Sequence, residues 1–83
     1  MNGLQKKLAK KLIKKWQRVY NLKDWSIDVE FNPKIKTSIY SHIPKKIALL
    51  VINTTQVRTQ RKLNTVIKYQ IIALKEEIVT KKR

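Results

Sequence analysis

Most side chains in this sequence that can do chemistry are cations. Sixteen lysines and four arginines stand against five acidic residues, a formal charge of +15 over 83 residues. Such an excess favours encounter with polyanions such as nucleic acid, or with an acidic protein surface, above all at low salt. The residues expected to meet phosphate are Lys6, Lys7, Lys10, Lys11, Lys14 and Arg18 on a first helix, Lys45 and Lys46 at a turn, and Arg58, Arg61 and Lys62 in a polar connection. The tail Lys81, Lys82 and Arg83 adds to them. Lysine positions a phosphate backbone without reading bases, so low sequence specificity is expected. A composition rich in lysine, isoleucine and asparagine is also what an AT-rich genome or a heat-loving host produces, and charge by itself says nothing of fold.

Other chemistry is sparse. There is no cysteine, which excludes thiol nucleophiles, disulfides and thiolate metal sites and makes a reducing cytoplasm the simplest setting. The chain has one histidine, His42, no serine flanked by glycines and no glycine-rich phosphate loop. Asp28 and Glu30 alternate onto one strand face and read as exposed charges rather than an acid/base pair. No enzyme activity, metal or cofactor is therefore expected. The N-terminus lacks the apolar core of a signal peptide, and no apolar run approaches the roughly 20 residues of a membrane span. One glycine and two prolines leave nothing that reads as a linker, so residues 1–83 form a single small domain.

The elements that position these residues follow from periodicity. Leu4 to Tyr20 reads as an amphipathic helix, with Leu4, Leu8, Ala9, Leu12, Ile13, Trp16, Val19 and Tyr20 on its apolar half and the lysines opposite; Asn21 is its expected stop. Trp25, Ile27, Val29 and Phe31 alternate with Ser26, Asp28 and Glu30 as a half-buried strand that Asn32 and Pro33 end. Lys36 to Ile43 and the apolar run Ile47 to Asn53 read as a hairpin turning through Pro44, Lys45 and Lys46. After the polar stretch Thr54 to Lys62, a second helix runs from Leu63 to Val79, capped by Thr59 or Asn64. The expected fold is α+β: an N-terminal amphipathic helix, a mostly antiparallel three-stranded sheet and a C-terminal helix, both helices on one sheet face.

The second helix has one face too many. Leu63, Ile67, Ile71, Leu74 and Ile78 form a core stripe, and beside it lie Val66, Tyr69, Gln70, Ala73 and Glu77, where glutamine interrupts apolar neighbours.

The stretches LAKKLIKKWQRVYNLKDWSIDVEF, KKIALLVIN and LNTVIKYQIIALKEE, in that order, resemble the small zincin-like metallopeptidases of the HExxH class found in phages and bacteria. The resemblance covers most of the chain and implies a zincin-like half-fold whose last helix carries the motif. Tyr69 stands where the first zinc histidine would be, Gln70 where the general-base glutamate would be, and Ala73 where the second histidine would be. Zinc in such a site needs two imidazoles one helical turn apart and a carboxylate to take the proton of bound water. Tyrosine, glutamine and alanine supply none of these, so the resemblance implies a pseudoenzyme. Glu76 and Glu77 lie close to that face and are expected to pair with nearby lysines.

Two functions remain. One is low-specificity nucleic-acid binding, DNA or RNA, on the degenerate scaffold. The other is a protein-interaction module, such as a phage or viral modulator in a host cytoplasm, that uses the retired cleft of Tyr69, Gln70, Ala73 and Glu77. A homodimer through an exposed strand edge is compatible with either.

Overall fold

The computed structural model describes residues 6–81. The first helix, α1, spans Lys6–Val19, so its expected first turn at Leu4 lies outside the described residues. It ends as the sequence predicts. Asn21 takes the left-handed conformation with φ 60°, a conformation that asparagine tolerates better than most residues. Its N–H donates to the Arg18 carbonyl at 3.3 Å, and the Leu22 N–H reaches back to the Gln17 carbonyl at 2.7 Å. Those two bonds make a Schellman closure. One side chain departs from the expected apolar half. Val19 is exposed, and Gln17 is buried in its stead. The Gln17 amide donates to the carbonyls of Leu22 at 2.9 Å and Trp25 at 2.8 Å, tying the turn to the helix it has just left.

Three strands follow: β1 at Ser26–Asn32, β2 at Ser38–His42 and β3 at Ile47–Asn53. Their spatial order is β1-β3-β2. The hairpin of β2 and β3 is antiparallel, as expected, with Tyr40 opposite Leu49. The pairing of β1 with β3 is parallel, with Val29 opposite Leu50, so the sheet is mixed rather than mostly antiparallel. The cause lies in IALLVIN, apolar on both faces and therefore suited to the centre of a sheet. To admit it, the chain leaves β1, skips one strand position through residues 33–37, descends as β2, and climbs back between them. Two strand spacings are about 10 Å, which five residues span with ease. The hairpin closes through a short 3-10 turn at Ile43–Lys45 and Lys46 at φ 55°.

Buried Asn53 secures the crossing. Its N–H donates to Thr37 Oγ1 at 2.8 Å and its side-chain amide to the Ile35 carbonyl at 3.0 Å, which pins the crossing loop across the end of β3. Its Oδ1 accepts from the Thr55 N–H at 2.9 Å and the Gln56 N–H at 3.2 Å, starting the turn toward α2, Gln60–Lys81.

Both helices lie on one face of the sheet, α1 beside β1 and α2 beside β2. Ala9 and Ile13 from α1, Val29, Leu50 and Ile52 from the sheet, and Leu63, Ile67, Ile71, Leu74 and Ile78 from α2 form the buried core. No described helix is long and apolar enough to cross a membrane.

Replacing Asn53 by alanine removes the side-chain partner of the Ile35 carbonyl in the crossing loop and of the Thr55 and Gln56 N–H groups in the following turn, whereas replacing Gln17 removes a donor from the Leu22 and Trp25 carbonyls, the first of which keeps the Trp25 N–H. Denaturant unfolding is expected to show Asn53→Ala losing about 2–3 kcal/mol and Gln17→Ala about 1–2 kcal/mol, with unchanged slope. Equal, negligible losses would contradict this account of the turns.

Candidate functional site

The topology sets which charges can act together. Helix α1 turns back tightly into β1, and α2 turns back from the end of β3; because β1 and β3 are parallel, both helices run in the same general direction. Their N-termini therefore share the end of the molecule where the parallel strands finish. Backbone N–H groups at a helix start carry about half a positive charge, which favours anions there. Neither helix places an acidic residue in its first turn. Instead Lys6 and Lys7 stand at the start of α1 and Arg61 and Lys62 at the start of α2, all exposed, with Arg58 just before. The crossing loop adds exposed Lys34 and Lys36 at the same end. Those two were missed as candidates from sequence; the signal was the Asn32-Pro33 turn at the end of a strand with a lysine on either side of Ile35.

The start of α2 is capped by Thr59, whose Oγ1 accepts the Lys62 N–H at 3.1 Å. Asn64, the other expected cap, has a different partner, the Trp16 indole.

From that end the cationic row runs down α1 through Lys10, Lys11, Lys14 and Arg18, all exposed. Leu8 and four of these lysines, Lys7, Lys10, Lys11 and Lys14, line a shallow groove. Lys45 and Lys46 are not part of this surface. They sit at the hairpin turn, at the opposite end of β3, and Lys46 is ion-paired with Asp24.

The acidic residues occupy separate ground. The sequence holds none from Phe31 to Lys75. Asp28 and Glu30 are exposed, as expected, on the sheet face away from the helices, in register with Leu49 and Val51 and, beyond these, Tyr40 and Ser38. His42 is exposed on that same face beside Ile47.

On α2, Tyr69 is 61% exposed and Ala73 is exposed, while Gln70 is half-buried. Ile67, Ile71 and Leu74 take the core side between them. Glu77 is half-buried and accepts the Ser41 hydroxyl of β2 at 2.9 Å, so this carboxylate helps join the helix to the sheet edge. Among the described residues no three His, Cys, Asp or Glu side chains gather as metal ligands.

No protein-family model matches the sequence, and neither a curated protein nor a solved structure matches it.

Cations at the positive end of a helix lower its stability. Lys62→Glu removes one and, three residues after Thr59, completes a capping box. It is expected to stabilise the fold by about 0.5–1 kcal/mol in thermal melts while weakening capture of any polyanion. A fall in Tm would contradict the charge reading of this end.

Proposed function

We propose that this protein is a non-catalytic, strongly basic module that binds nucleic acid with low sequence specificity, on a degenerate zincin-like scaffold. The observation that supports the reading most is the shared end of two helix N-termini. Both dipoles point their positive ends there, both first turns lack acids, and seven exposed cations, Lys6, Lys7, Lys34, Lys36, Arg58, Arg61 and Lys62, accompany them. Phosphate oxygens favour the positive end of a helix dipole and accept from lysine ammoniums, so a sugar–phosphate backbone suits this end and the row along α1. The absence of acids there is uncompensated in the free protein. A bound polyanion relieves it.

The non-catalytic part of this reading rests on residue identity at the motif positions. Tyr69, Gln70 and Ala73 offer neither imidazole nor carboxylate, and Glu77 is engaged by Ser41. The order of elements, basic helix, Trp-led strand, strand pair and helix, is the order on which the zincin-like resemblance rests.

One observation favours a second reading. A tyrosine that is 61% exposed on the outer side of α2 is an amphipathic anchor for a protein partner, and a basic surface steers an acidic one toward it.

The test is a salt titration of affinity by fluorescence anisotropy with duplex and single-stranded oligonucleotides of several sequences. If about five phosphates are neutralised, log affinity falls against log salt with a slope of roughly −4 to −5, nearly independent of sequence. Lys10→Glu with Lys14→Glu is expected to reduce the slope by about 2. Salt-insensitive binding would overturn the proposal; loss of a protein partner on Tyr69→Ala, with the α1 reversals silent, would establish the second reading.

A further inference from the structure

Where α1 meets α2, two aromatic rings and two cations form an arrangement that the core does not require. Trp16 on α1 and Tyr20, just past its end, stack with centroids 6.2 Å apart and planes inclined by 30°. The Trp16 indole N–H donates to Asn64 Oδ1 on α2 at 2.9 Å, which fixes the ring from the opposite helix. Lys15 Nζ stands 4.9 Å from the Trp16 centroid and Lys68 Nζ 5.4 Å from it.

Both rings are half-buried against the core, and an ammonium can stand over an indole only where no apolar side chain covers it. Where each ammonium stands, the indole is covered by a flexible lysine end. Two like charges thus lie close to one ring, and no acidic residue is within one helical turn of either lysine along the chain, the five acids being Asp24, Asp28, Glu30, Glu76 and Glu77. Attraction to the indole's π-system holds each ammonium against the repulsion of the other.

A phosphate between the two ammoniums removes that repulsion and draws them off the ring. The face they leave is then open to a base joined to the same phosphate. We propose that Trp16, Tyr20, Lys15 and Lys68 form a shelf for one nucleotide unit of a single-stranded nucleic acid, base on the indole and phosphate between the ammoniums. This deepens the nucleic-acid reading above and rests on it. Every base has a π-face, so the shelf selects for unpaired strands and not for sequence. Duplex bases are already stacked on one another and cannot reach it.

Trp25→Phe leaves Trp16 as the sole tryptophan of the chain. Titrated at fixed low salt with oligothymidylate, oligouridylate and a duplex, its emission is expected to be quenched by the single strands and not by the duplex. Quenching by one sugar type alone supports the shelf and identifies its source as DNA or RNA. In the otherwise native chain, Trp16→Leu is expected to lower single-strand affinity about tenfold and duplex affinity less than twofold. Should Trp16→Leu fail to fold by circular dichroism, Lys15→Gln with Lys68→Gln replaces it, with single-strand affinity falling about fivefold more than duplex affinity. Binding that persists with no quench, or with equal quench by duplex and single strand, overturns the shelf and leaves the broader reading standing. If no oligonucleotide binds at all, both fall.

Discussion

One buried amide decides how this chain closes. Asn53 lies at the end of the central strand, at the point where the β1–β2 crossing loop passes over and the chain departs for α2. Each of its polar groups is used: the backbone N–H and side-chain amide on the crossing loop, the side-chain oxygen on the turn that follows. Buried polar groups left unmatched are expensive, so a residue satisfied by two segments constrains both of them to the end of β3. The parallel pairing of β1 with β3 depends on that crossing being held, and so does the common direction of the helices. Gln17 has the same role at the opposite end, where it closes the turn from α1 into β1.

The common helix direction turns an ordinary basic composition into a directional field. Had β1 and β3 been antiparallel, one helix N-terminus would have stood at each end, and Lys6 and Arg61 would have been separated by the length of the sheet. As built, two positive dipole ends and their neighbouring cations coincide. That arrangement works against the free fold, since like charges and positive dipole ends accumulate in one place. A core of Ile, Leu and Val drawn from both helices, β1 and β3 makes it tolerable.

Helix α2 divides its circumference between three tasks. Its Ile67–Ile71–Leu74 side fills the core, its Asn64 and Lys68 positions meet Trp16 of α1, and Glu77 reaches Ser41 on the sheet edge. Tyr69 and Ala73 are left to solvent. The glutamine that interrupts the apolar pattern, Gln70, sits at the boundary between core and water, where a polar amide is acceptable.

Much of this was legible in the residues. Alternation set β1, helical spacing set both helices, Asn21 and Thr59 marked their ends, and the charge and lack of cysteine narrowed the chemistry, because each is a local property that neighbours along the chain decide. The exchange of Val19 for Gln17 in the buried set was not legible, since periodicity ranks residues by polarity and cannot see two carbonyls waiting for a donor. Nor was the strand order: the two-sided apolarity of IALLVIN said that it belonged in the middle, but whether β1 joined it parallel depended on a loop crossing held by Asn53. The gathering of Lys34, Lys36, Arg61 and Lys62 at one end, the removal of Lys45 and Lys46 from it, and the convergence of Lys15 and Lys68 on Trp16 were decided by tertiary structure alone. Charges interact through space, and sequence separation carries no record of the distances that packing sets.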